Sequence, residues 1–353
     1  MKDIAIDAPR EETVRRGDGR TARIVRSVVF VLVLFLLLGW YTEVFRSKNE
    51  AEIVKPFYSE IRDSLDIVFV GSSHLMCGVY PMELYDEFGY TSYVFASSAQ
   101  LLPQTYWQTV EALATQTPRL IVVDVGNCFY KEKYGMKTYS HVQTDNMPLS
   151  LNKVRLINDL FDKEDRLSYY LNLIQFHSRW KELTSYDVKP IVSVTKGAHI
   201  STDSTDLELE KWPDRSETLP MPENALKYLQ KILDLCKERE IPVLLVNMPG
   251  LNTYDESRTI NSVWSIAEEY DVPFINFAEF FDEIGIDPHS DFRDEYHLNA
   301  YGAIKTTRYL GKYFSEHFPE KKERSAKVNE KWESDLESYR LDYPVGYCVR
   351  ADG

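Results

Sequence analysis

The sequence predicts a three-layer α/β/α domain on a central parallel sheet, preceded by one membrane-spanning helix. Three observations carry this expectation. Short apolar runs alternate along the chain with amphipathic helical patterns. Several of those runs, LIVVDV at 120–125 for example, are apolar on both faces, as buried parallel strands are. One segment near the N-terminus, 28–40, is uncharged and almost wholly large and apolar. The expected layout is a basic tail at 1–23, an anchor at 24–41, a linker at 42–65 and an α/β domain at 66–318. An insertion over about 140–218 interrupts that domain, and a charged extension fills 319–353.

The anchor comes first. At about 1.5 Å per residue, 24–40 spans roughly 25 Å, slightly less than a hydrocarbon core of about 30 Å. Arg26 can snorkel, and Trp40 and Tyr41 suit the interface. Arg10, Arg15, Arg16, Arg20, Arg23 and Arg26 precede the span, whereas its far flank mixes acids and bases. The positive-inside rule then places the N-terminus in the cytoplasm and the domain outside the cell membrane. A cleaved secretory signal is the competing reading. The flank TEVFRSKNEAE has no A-x-A-like cleavage site, so an uncleaved single-pass anchor is expected.

Strands are expected at 66–71, 92–95, 120–125, 243–247 and 274–277, and helices at 104–115, 223–240, 260–270 and 299–314. In the 223–240 helix, Ala225, Leu229, Ile232, Leu233 and Cys236 share one face, with Pro222 near its start. The insertion is polar and carries Tyr and Trp, with a helical stretch around 156–183. Its expected place is over the carboxyl edge of the sheet, where ligands bind in open α/β folds. A further helical pattern covers 319–339.

Composition excludes several classes. In 353 residues, charged residues are 27% and hydrophobic ones 44%, which fits neither disorder nor a multi-span membrane protein. Lys+Arg 41 against Asp+Glu 55 gives a net charge of −14, so no nucleic-acid partner is expected. Cys77, Cys128, Cys236 and Cys348 are widely spaced, and none forms a CxxC pair.

Two elements could carry chemistry. The first strand runs into Gly71-Ser72-Ser73-His74, presenting a serine on a tight turn at the sheet's carboxyl edge. Alone, this is also ordinary turn chemistry. Far along the chain stands Asp294-Glu-Tyr-His297-Leu-Asn299-Ala-Tyr-Gly302. A carboxylate three residues from a histidine can orient one ring nitrogen and leave the other to take a serine proton. Helix capping explains the same residues more simply.

Together these blocks resemble the first and last motifs of the SGNH (GDSL-like) hydrolase and acyltransferase superfamily. Ser72 stands where the usual aspartate would be. The layout looks especially like membrane-anchored bacterial members, including DltD-like proteins and O-acetyltransferases that partner MBOAT proteins. The resemblance spans roughly 66–314 and implies Ser73 as nucleophile with His297 and Asp294 completing a triad. It also implies oxyanion donors in two middle blocks. One would be the stretch around Ala96, Ser97 and Gln100, with Ala96 where a glycine is usual. The other would be Asn127, which a turn asparagine explains equally well.

The implied activity is transfer of O-acetyl or other acyl groups to a cell-envelope polysaccharide, with an MBOAT-type membrane protein as partner and no cofactor or metal. An esterase removing such groups is the alternative, and a degenerate carbohydrate-binding or assembly protein is the non-enzyme reading. Asp291 could replace Asp294 as the acid, and His289 with Asp291, Asp294 and His297 could be drawn as a metal cluster. His74 reads as a solvated or packing histidine. His141, His177, His199 and His317 lack motif context, and Cys77 reads as a small buried apolar side chain.

Overall fold

The computed structural model describes residues 18–46, 48, 50–208 and 211–343. Arg10, Arg15 and Arg16 of the basic tail, and Cys348 with the end of the C-terminal extension, lie outside the described residues.

Five strands form one parallel sheet: β1 (Ile67–Gly71), β2 (Ser92–Ala96), β3 (Leu120–Asp124), β4 (Val243–Asn247) and β5 (Phe274–Asn276). Their order is β2-β1-β3-β4-β5, with Gly71 paired to Ala96 and Val70 to Val123. The side-chain period of two divides each strand between two cores. Val68, Val70, Ile121, Val123 and Leu245 face one side, packed with Leu102, Leu113, Leu229 and Ile232 from the Leu102–Thr115 and Glu223–Glu238 helices. Ile67, Phe69, Val122, Leu244 and Val246 face the other, with Leu310 and Phe314 of the Ala300–His317 helix. The expected three layers are present. Chain order reverses between β1 and β3, and that is where a crevice opens at the carboxyl ends of an open sheet.

The expected helix over 260–270 is two helices, Tyr254–Asn261 and Val263–Tyr270, parted at Ser262. The stretch around 156–183 is likewise broken, into Leu151–Leu160, Arg166–Tyr170, Asn172–Phe176 and the 3₁₀ turn His177–Lys181. The acidic, polar run Asp162 to Asp165 interrupts its apolar periodicity.

Within segment 42–65, the described residues from 50 on pack against the domain. They form a short helix, Ala51–Val54, and a 3₁₀ turn, Lys55–Ser59, whose Phe57 stacks on Phe95 of β2 at 4.0 Å. The charged extension is also integral. Its Ala326–Asp342 helix buries Val328, Trp332, Leu336 and Tyr339, a stripe at helical spacing. Fully buried Lys196 ties that helix to Glu60, bonding Asp335 at 2.6 Å and Glu60 at 2.8 Å over the Trp332 ring.

Helix α1 (Asp18–Phe45) is long and apolar enough to cross a membrane over Gly19–Phe45. Its apolar side chains from Ile24 to Trp40 are exposed, but the last turn is not. Val44, Phe45 and Arg46 are buried in the domain, and the Arg46 guanidinium donates to the Asp145 carbonyl at 3.0 Å.

Candidate active site

Ser73 opens the Ser73–Gly78 helix directly after β1. The turn that delivers it is tight, since a Cβ on Gly71 would stand 2.4 Å from the Cβ of Asp124. Asp124, at the end of β3, clamps the turn through one carboxylate oxygen, which accepts from the Ser72 N–H at 3.2 Å and the Ser72 hydroxyl at 2.5 Å. Its other oxygen accepts from the Gly126 N–H at 2.9 Å. Ser72, in the place of the usual aspartate, is therefore a structural hydroxyl held from the neighbouring strand.

Asp294 and His297 occupy a closed loop rather than a helical turn. Phe292 bridges Leu298, the Arg293 N–H donates to the His297 carbonyl at 2.9 Å, and the Asn299 N–H donates to that of Asp291 at 2.9 Å. Capping of the following helix falls to Asn299, whose side chain accepts from the N–H groups of Tyr301 and Gly302. A Cβ at Gly302 would meet the Asp291 carbonyl oxygen at 2.5 Å. The motif thus divides: His297 reaches Ser73, Asp294 holds the far side of the imidazole, and Asn299 and Gly302 build the loop.

The loop meets the turn at a 2.8 Å contact between His297 Nε2 and Ser73 Oγ, while His297 Nδ1 lies 2.7 Å from Asp294 Oδ1. Asp294 also accepts from Arg293 Nε at 3.1 Å and the Tyr296 N–H at 2.9 Å. Burial pulls its carboxyl upward, but the Tyr296 N–H, His297 and Arg293 together hold it below the ordinary range. Burial, with the nearby His74, pushes His297 below its ordinary value despite Asp294. An imidazole kept neutral in this way can accept a proton.

Asp291 is buried elsewhere, its carboxylate accepting from Lys305 and the Asp287 N–H, both at 2.7 Å. His289 pairs at the surface with Asp206 at 2.6 Å. His74 lines the same cavity as Ser73, its ring centroid 5.6 Å from that of His297, and its buried Nδ1 has no partner among the described residues. Since the nearby His74 helps depress His297, His74→Gln should raise the His297 pKa. The base is active only when neutral, so the acid limb of kcat/KM should move to higher pH, read from a pH–rate profile on a small ester.

The middle-block candidates are placed differently from one another. Ala96 is fully buried within β2, Ser97 is buried beneath the wall, and the Gln100 amide donates to Thr105 and Gln108. None of the three lines the cavity: Ala96 is held in the strand pairing, and Ser97 and Gln100 are turned inward, bonded to each other and, through Gln100, to Thr105 and Gln108. The wall is instead Ser98 and Ala99, and Ala99 adopts a left-handed conformation at φ 50°. The backbone form that favours glycine therefore comes three residues after Ala96. The Ser98 N–H is already engaged, donating at 3.0 Å to the carboxylate of Glu50. Asn127 does line the cavity, with one amide N–H donating to the Gln100 carbonyl at 3.0 Å. The N–H groups of Ser73 and Ala99 are unpaired among the described residues.

The cavity encloses about 750 Å³. Aromatic side chains of the Phe129–Tyr139 stretch, with Tyr296 and Leu251, form much of its lining. Among the described residues, none of 140–218 lines it. A second cavity of about 850 Å³, walled partly by Trp212 and Arg215, shares Leu251 and Asn252 with it.

No protein-family model and no curated protein matches the chain. Two solved structures are similar to it at low level. The esterase AlinE4, as a mutant, aligns at 14% identity and TM-score 0.31, covering 75% of this chain and 100% of its own. AlinE4, described as an SGNH-hydrolase family esterase, aligns at 14% identity and TM-score 0.30, covering 74% of this chain and 97% of its own.

Cys77, Cys128 and Cys236 are free and buried. Burial pushes the Cys77 and Cys236 thiols up to about 12. They behave as small apolar side chains, as expected for Cys77.

Proposed function

We propose that the protein is a membrane-anchored serine acyl-ester enzyme whose domain faces outward and which transfers acyl groups, acetyl foremost, to a cell-envelope polysaccharide. The observation that carries this reading is the Ser73–His297–Asp294 hydrogen-bond chain at the mouth of an aromatic-lined cavity. Ser73 Oγ attacks the donor's acyl carbonyl carbon while its proton passes to His297 Nε2. Ser73 and Ala99 N–H groups and the second amide N–H of Asn127 are the candidate donors to the resulting oxyanion. Collapse of the intermediate expels the donor's alkoxide, which takes the proton from His297, and leaves an ester on Ser73. The acceptor hydroxyl then gives its proton to His297 and attacks that ester, and as the second intermediate collapses Ser73 Oγ leaves and takes that proton back from His297 Nε2.

Two features support transfer over hydrolysis. The adjoining cavity at Trp212 and Arg215, which shares Leu251 and Asn252 with the Ser73 cavity, offers room for an acceptor chain. Glu50, bonded to the cavity-wall residue Ser98, is five residues beyond Phe45, so at most about 18 Å of chain separates it from the end of α1. A donor carried by an MBOAT-type membrane partner is within range of such a site. Retention of α1 is supported by its buried last turn, which a cleaved signal would not require.

The test supplies purified full-length protein with a small acetyl ester, with and without an oligosaccharide acceptor. Acetylated sugar is the expected product, because positioning worth about 10⁵ M or more can outcompete water. Free acetate alone, even with the membrane partner supplied, would replace this reading with an esterase.

A further inference from the structure

Outside α1, exposed large apolar side chains are concentrated in one part of the chain. Leu167, Leu171, Ile174, Trp180, Val188 and Val192 all lie open within 26 residues of one another. Several of the others that are exposed, Tyr130, Met136 and Tyr296, belong to the Ser73 cavity. The apolar segment has a specific position. Its helix Asn172–Phe176 and its 3₁₀ turns His177–Lys181 and Ser185–Val188 pack against α1.

The contact is pinned at the helix end. Arg179 donates to the Phe45 carbonyl at 2.9 Å and to that of Arg46, and its other amino group bonds Asp187 at 2.9 Å. Phe45 is four residues past Tyr41, about 6 Å along the axis. The chain touching Phe45 is therefore about one helical turn from the end of the apolar span. Trp180, next to Arg179, is 62% exposed, and Val188, next to Asp187, is 63% exposed. Exposed Lys181 and Lys189 stand beside these apolar groups. Apolar side chains with Trp and Tyr at this height, flanked by lysines, match the chemistry of a headgroup–acyl boundary. So many large apolar side chains left open to water within one short segment are unfavourable.

We propose that the 166–192 face lies in the interfacial layer of the bilayer that α1 crosses, so that the domain rests on the membrane instead of hanging from it. This rests on the reading of α1 as a retained anchor. It commits to lipid because the Arg179 pin fixes this face against the helix at the level where the bilayer begins. Through Arg46, Arg179 and the Glu50–Ser98 bond, the contact would also set the height of the Ser73 cavity above the membrane.

The test uses the full chain in nanodiscs of zwitterionic and anionic phospholipid, in a Cys348→Ser background. Trp180→Cys and Val188→Cys are each labelled with an environment-sensitive fluorophore, and Leu341→Cys on the Ala326–Asp342 helix serves as the water-exposed control. Thermal melting confirms that each labelled chain is folded. Blue-shifted emission quenched by spin-labelled lipid is expected at 180 and 188 and not at 341. Water-like emission at both sites, in a chain that alkaline washing cannot extract, would overturn the proposal and leave the anchor standing. Extraction by alkali would overturn both. A shift seen only after adding a multi-span membrane protein would assign the face to a protein partner and overturn the lipid contact.

Discussion

Ser73→Ala is expected to abolish covalent labelling by a serine-reactive phosphonate and to lower turnover of a small acetyl ester by about 10⁴- to 10⁶-fold. The size follows from the site's geometry. Ser73 Oγ is the hydroxyl that His297 Nε2 reaches at 2.8 Å, so its loss removes the covalent route and not merely one contact. Oxyanion donors and binding groups survive the substitution, which leaves a small residual rate over water. The fold should barely respond. The turn is held by Asp124 on Ser72 and by the fit of Gly71, neither of which involves the Ser73 side chain. Losing one hydroxyl hydrogen bond costs about 1 kcal/mol, a Tm change of no more than about 3 °C in a domain of this size. Labelling that persists in the alanine variant would move the nucleophile elsewhere and end the triad reading.

What could be read ahead of the structure was written in local spacing. Five strands announced themselves because parallel strands buried on both faces need continuous apolar runs, as 120–125 and 243–247 have. Ser73 was legible because a glycine turn must follow a strand that presents a side chain at the sheet edge. Asp294, His297, Asn299 and Gly302 were legible as one motif, although it took the structure to separate the hydrogen-bonded Asp294–His297 pair from the cap and the close approach.

The rest depended on contacts between distant segments or on backbone conformation without its usual residue. Ala99 takes a left-handed φ with no glycine to mark it, so within the 96–100 stretch the residues that line the cavity could not be told from those that do not. Asp124 ends an apolar run and looks like a strand terminus, yet it holds the nucleophile turn across 52 residues of sequence. Glu50 belongs to the 42–65 stretch read as a linker, whose buried apolar residues Ile53, Val54 and Phe57 were too few to register as an element. Arg293 sits beside Asp294 and carries no pattern of its own, but it supplies one of the bonds that keep that carboxylate ionised.

That carboxylate yields the second large expected effect. Asp294→Asn should keep the loop closed, since the Phe292–Leu298 bridge and the Arg293-to-His297 backbone bond do not need the charge. The chemistry should suffer more than the structure. With Asp294 ionised, His297 carries its proton on Nδ1, 2.7 Å from the carboxylate, and presents an unprotonated Nε2 to Ser73. An asparagine amide turned toward Nδ1 donates instead, so the ring proton shifts to Nε2 and the base is blocked. By that argument kcat should fall about 10⁴-fold, with far less change in KM. Asp291→Asn is the matched comparison, because Asp291 bonds Lys305 and the Asp287 N–H rather than His297. It should lower the melting temperature while the folded fraction keeps most of its kcat. The reverse pattern, a silent Asp294→Asn and an inactive but stable Asp291→Asn, would transfer the acid's role to Asp291. Such a result would also require the loop to open, since Asp291 faces away from the imidazole while Phe292 and Leu298 stay paired.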